Sequence, residues 1–158
     1  MTKASDIPIA HTPIGGWHGE IPPPVLAGCD EPLVVGAPDI RGLWEVFKVE
    51  VGGDVIEDHP VLRQRQRVEQ CGDRLVVTAG GIIHDMRCDS TEEHGVNDVA
   101  QIDYLTPIVV VASYENGVHV LRPIDTPLTV TRHLDGDVLV WNYGGVFVAR
   151  LERVAEER

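Results

Sequence analysis

Ile108-Val109-Val110-Val111-Ala112-Ser113-Tyr114-Glu115-Asn116-Gly117-Val118-His119-Val120-Leu121-Arg122 contains two apolar, β-rich runs joined by an Asn-Gly pair. Such a pair is the strongest short hairpin signal, because both central residues of the tight turn need positive φ. Downstream, residues 128–133 lead into Leu134-Asp135-Gly136-Asp137, a second hairpin signal, and then into residues 138–143. Gly144-Gly145 divides these from a last run that ends at Arg153. Upstream, residues 43–51 stop at Gly52-Gly53-Asp54, and residues 62–70 stop at Cys71-Gly72-Asp73. Residues 74–79, 82–89 and 96–103 complete the series, separated by Gly80-Gly81 and the polar loop 90–95. Turns every 8–12 residues, with no sustained helical period before the final residues 151–158, predict an all-β chain. Short connections favour an antiparallel up-and-down barrel of about 8–10 strands, with a sandwich as the alternative.

The chain has 158 residues, 13 Lys+Arg against 25 Asp+Glu, and a formal charge of −12. That balance argues against a nucleic-acid partner, which needs a basic face, and against an anionic membrane surface. The longest apolar run, Ile108 to Ala112, is far short of the about 20 residues of a membrane helix. No apolar stretch follows Met1-Thr2-Lys3, so no signal peptide is expected, and three cysteines without C-x-x-C spacing suit a reducing cytoplasm. Phosphate-loop, dinucleotide and serine-hydrolase motifs are absent, and neither a cofactor nor a metal is implied. Residues 1–38 hold seven of the eleven prolines and form a Pro-rich arm, while residues 39–158 form the barrel domain. Its apolar residues, among them Trp17, Leu26 and Val34, favour packing of the arm on the barrel from about Pro22 onward.

Gly42-Leu43-Trp44, at the head of the first strand, resembles the G-x-W signature of the lipocalin and fatty-acid-binding (calycin) superfamily. The resemblance covers residues 40–153 and implies a lipocalin-like barrel closed at one end by Trp44, with an Arg of the final strand across the indole. Arg150 is placed for that role. It further implies binding of a small apolar or amphipathic molecule inside, sometimes with isomerase or lyase chemistry. The Pro-rich leader departs from the family, and no helical pair is present to cover the mouth, so a different closure is implied. Five of the eight aromatics, Trp44, Phe47, Trp141, Tyr143 and Phe147, fall in the first strand and the last two, which must meet if the barrel closes.

Strand alternation assigns faces. Ile82, His84, Met86 and Cys88 share one face, and Ile83, Asp85, Arg87 and Asp89 share the other, which its charges assign to solvent. His84 therefore points inward, either as a core histidine satisfied by a carbonyl or Asp, or as a general base. Val96, Asp98 and Ala100 share a face on the next strand, so Asp98 is the candidate partner that orients the imidazole. His94 and His119 are the only further histidines within reach of a metal reading, and neither supplies suitable spacing. Arg63, Arg65 and Arg67 read as an outward stripe or as interior carboxylate ligands; the outward reading turns Gln64 and Gln66 inward. Met86, Tyr114, Trp141 and Tyr143 are further candidate pocket residues.

Two functions follow as expectations: binding of a small molecule in the interior, or a cofactor-independent isomerase, cyclase or lyase using His84 and Asp98. The Pro-rich arm as an interaction segment is a third. An unpaired strand edge or the arm could each support a homodimer.

Overall fold

In the computed structural model, which describes residues 2–155, eleven strands follow the turn signals along the chain. They are β1 (Gly42–Val51), β2 (Asp54–Val55), β3 (Arg65–Cys71), β4 (Arg74–Ala79), β5 (Ile82–Arg87) and β6 (Val96–Val99), then β7 (Pro107–Glu115), β8 (Val118–Pro123), β9 (Val130–Asp135), β10 (Val138–Tyr143) and β11 (Phe147–Arg153). Asn116 at φ 52° and Gly117 at φ 82° make the β7–β8 hairpin as their pairing requires. Apart from β2, which pairs only with β1, the strands form one antiparallel sheet in the order β5-β4-β3-β1-β11-β10-β9-β8-β7-β6. Apart from the β1–β11 closure, neighbours along that path follow in chain order with only β2 passed over, and β11 returns to β1 from Trp44↔Arg153 to Glu50↔Val148. The result is a nearly closed up-and-down barrel whose remaining slit lies between β5 and β6.

One end of the barrel is plugged. Ile40 and Trp44 are fully buried, and the Trp44 indole N–H donates to the Ile40 carbonyl at 2.9 Å. Gln70 fixes the entering chain, accepting from Ile40 N at 2.7 Å and donating to Pro38 O at 2.8 Å. The guanidinium over Trp44 belongs to Arg153, 4.5 Å from the ring centre, and not to Arg150. Parity explains the correction: Arg153 shares its face with buried Phe147, Ala149 and Leu151, whereas Arg150 lies on the other face and pairs with Glu50 at 3.0 Å. Gly42 has φ 144°, a backbone that side chains disfavour, and it sits beside the Arg153 guanidinium. Arg153→Ala is expected to cost about 0.5–2 kcal/mol, as a cation–π contact would. Arg150→Ala, which loses a surface pair, should cost less than about 1 kcal/mol in the same urea titration.

The arm packs on the barrel from Ala4, earlier in the chain than its composition suggests. Ala4, Ile7, Trp17, Val25 and Leu26 cover Cys71, Val76 and Ile83 on the outer face of β3, β4 and β5, forming a second apolar core. This overturns the solvent assignment of that face. Ile83 is 8% exposed and Asp85 4%, and Asp85 pairs with Arg74, itself 1% exposed. Arg74 donates to both Asp85 oxygens, at 2.8 and 2.6 Å, and to the carbonyls of Ala4, Ile7 and Pro8. The arm's turned backbone thus finds its donors in one buried guanidinium. Glu69 accepts from Val25 N and Leu26 N, and a disulfide ties Cys29 to Cys71. That bond departs from the free thiols expected of a reducing cytoplasm and removes the cysteine argument for that compartment. No described helix is long and apolar enough to cross a membrane.

Candidate functional site

The register of the sheet builds a belt of interior side chains. Tyr114 faces His119, His119 faces Arg132, Arg132 faces Trp141, and Trp141 faces Ala149 across successive strands. Directly opposed residues in an antiparallel ladder share a face, so one inward member places them all inside. Between this belt and the open end lies a cavity of about 390 Å³, within the range of small-molecule sites. Its wall is mainly apolar, with Val77, Ile82, Met86, Val110 and Leu121; Gln66, His84, Arg132 and Trp141 supply polar groups within, and Gln101, Asp125, Thr126 and Tyr143 add others.

Arg132 is the unusual member. It is 5% exposed, lies 5.1 Å over the Trp141 ring, and reaches only Gln66 Oε1, at 3.4 Å. Its Nε has no partner, nor do Trp141 Nε1 and the two ring nitrogens of His119. Among the described lining residues the one carboxylate is Asp125, exposed at the rim. Burial pushes the guanidinium down to about 10, with the Tyr143 phenol opposing, so it stays cationic at neutral pH. Burial, helped by the Arg132 charge, pushes His119 down to about 3, so its imidazole is neutral. A buried charge without a counter-charge is costly, and buried unpaired donors are rare in native folds.

The expected site residues divide. Gln66, Met86, Trp141, Tyr143 and His84 line the cavity. Gln64 stands behind, its Oε1 accepting from Gln66 Nε2 at 2.9 Å, while Arg63 and Arg65 face outward to Glu45. Tyr114 belongs to the plugged end, where its hydroxyl accepts from Gln70 Nε2 at 3.0 Å and neighbours Cys88. Burial pushes the Cys88 thiol up to about 12, which leaves it protonated.

His84 and Asp98 do not form the expected hydrogen-bonded pair. The His84 Nε2 meets the Val99 carbonyl at 3.0 Å across the slit, and burial lowers its pKa despite that bond and nearby Asp98. Asp98 keeps the parity of buried Val96, but it stands on the unpaired edge of β6. There its carboxylate accepts from Thr12 N at 3.0 Å and Val99 N at 2.8 Å and meets His11 Nδ1 at 3.2 Å. The tautomer-orienting role therefore falls to a backbone carbonyl. Among the described residues no cluster of His, Cys, Asp or Glu could hold a metal.

Arg132 is a cavity-lining group that the sequence reading does not single out, whereas His119 is fully buried beside it and does not line the cavity. The signal was present in alternation: Val130, Arg132 and Leu134 share one face of β9, opposite Thr131, His133 and Asp135. No family model matches this chain, and no curated protein is similar to it.

Proposed function

We propose that the barrel binds a small amphipathic molecule whose anionic head, a carboxylate or similar oxyanion, pairs with Arg132. The observation that carries this reading is the buried guanidinium facing an apolar cavity of about 390 Å³, with Nε unbonded and no carboxylate against it among the described residues. An oxyanion matches the guanidinium fork, neutralises its charge, and can accept further from Trp141 Nε1, which also lines the cavity. The apolar part of the molecule would lie against Ile82, Met86 and Leu121 toward the mouth. The G-x-W start and the meander order support the same reading by their resemblance to calycin barrels.

Calorimetric titration with decanoate and with decanol tests it. Both place the same chain in the cavity, and only decanoate supplies the charge. Decanoate should bind about 10–100-fold more tightly, the worth of a hydrogen bond to a charged group. Equal affinities, or no binding of either, would sink the proposal. Native mass spectrometry of the purified protein adds a direct view of any co-purifying acid.

A further inference from the structure

We infer that residues 10–17 of the arm are a removable side wall of the cavity, a strap across the slit whose release opens a lateral route to the interior. The sheet ends at β5 on one side and β6 on the other, with no ladder between them. Ile83 turns its backbone toward this slit, and the arm takes the place of a neighbouring strand. Thr12 Oγ1 accepts from Ile83 N at 2.9 Å and lies 3.3 Å from Ile83 O. Trp17 donates from its backbone N to Gly81 O at 2.9 Å and from its indole to Ile82 O at 3.0 Å. On the opposite lip, Asp98 holds Thr12 N and His11. The strap is thus bonded to both edges.

Behind it the wall is thin. His84 crosses to Val99 O, and both His84 and Ile82 line the cavity itself. Tyr104 crosses to Gly80 O at 2.6 Å nearer the mouth, and Arg87 N crosses to His94 O at 2.7 Å nearer the plugged end. Between these two crossings the arm covers the slit, and the His84–Val99 contact lies behind it.

The strap has firm anchors beyond both ends, and between its bonded points at Thr12 and Gly16-Trp17 it is exposed. Arg74 and Asp85 grip residues 4–10, and Glu69 with the Cys29–Cys71 disulfide grips residues 25–29. Between those anchors residues 13–15 and 18–20 are exposed, Ile14 fully so, and Gly15 and Gly19 have positive φ. A segment with exposed, few hydrogen bonds between firm anchors is drawn from the low-stability end of a fold. It can swing aside without detaching the arm.

The functional meaning of this strap rests on the cavity-binding reading, so the test has one readout that needs no ligand. Trp17→Phe removes the arm's indole and leaves Trp141 in the cavity and fully buried Trp44 at the plugged end. Thr12→Val is added to break both contacts to Ile83. Loss of one or two hydrogen bonds should raise the open population about tenfold. Acrylamide quenching of Trp141 and hydrogen exchange at the Ile83 amide should both increase in the double variant over Trp17→Phe alone, with the thermal melt retained. Stopped-flow uptake of 1-anilinonaphthalene-8-sulfonate should accelerate in the same comparison. Unchanged quenching and exchange overturn the strap, even if the probe binds normally. Faster quenching and exchange with no probe binding uphold the strap and instead count against the anion-binding reading. If Thr12→Val lowers the melt by unfolding the barrel, Thr12→Ser, which keeps the hydroxyl, must restore wild-type exchange for the strap to stand.

Discussion

Arg132→Met is expected to abolish discrimination between decanoate and decanol and, at the same time, to raise the melting temperature of the ligand-free protein. A guanidinium held at about 10, against an ordinary value above 12, costs the fold about 3 kcal/mol at neutral pH. Methionine fills similar volume, needs no partner and removes that cost. The contact over Trp141, worth about 1–2 kcal/mol at a buried site, is lost, which leaves a net gain of roughly 1–2 kcal/mol. For a chain of this size that is about 2–8 °C. The depressed value sets the pH window. Below about pH 10 Arg132 carries its proton in both folded and unfolded chains, so the penalty is full there. As pH rises through that value the folded protein releases the proton and the penalty fades. The stability difference between variant and wild type should therefore stay constant from neutral pH to about pH 9. A lower melting temperature for Arg132→Met would mean that the guanidinium has a favourable partner inside the barrel, and the anion site would lose its basis. Stabilisation coupled to loss of binding is the signature of a strained functional group.

The opposite result is expected at the arm. Arg74→Ala should cost about 3–5 kcal/mol, because it leaves the Asp85 carboxylate buried without its counter-charge. The carbonyls of Ala4, Ile7 and Pro8 lose their donor in the same step. Urea denaturation would measure the loss, and limited proteolysis within residues 2–12 would report the freed arm. The double change Arg74→Met with Asp85→Leu removes both charges and should be less damaging than the sum of its two single changes. Additive costs would show that the two groups do not act as a buried pair. Arg74 and Arg132 thus make a contrast within one barrel. Both guanidiniums are buried, and the partners differ: Arg74 has a carboxylate and three carbonyls, Arg132 a single distant amide oxygen.

Alternation located part of the cavity wall. Gln66, Met86, Trp141 and Tyr143 reach the interior because a strand's two-residue period, once one apolar face is known, assigns the rest. The same rule, applied to β9, would have placed Arg132 inside between Val130 and Leu134, and applied to β11 it would have chosen Arg153 over Arg150. Depth along the barrel was not legible in this way. Tyr114 points inward, yet it stands at the plugged end with Gln70, because position along the axis depends on strand tilt and register between chain-distant strands.

The sequence by itself determined the main strands and the meander that brings β1 to β11, since these depend on local propensity and short-range turn chemistry, although the two-residue β2 was not expected and the strand expected over 96–103 ends at Val99. Tertiary structure alone decided what covers the outer face of β4 and β5. Asp85 and Arg87 mark that face as solvent to any local reading, but the arm, some seventy residues earlier, buries Asp85 against Arg74. Tertiary structure also decided that Asp98 serves the arm and not His84, because the slit leaves the edge of β6 free for Thr12. The physical reason is common to both. A charged side chain is classed by its surroundings, and those surroundings come from residues far away in the chain, whose approach no local periodicity encodes.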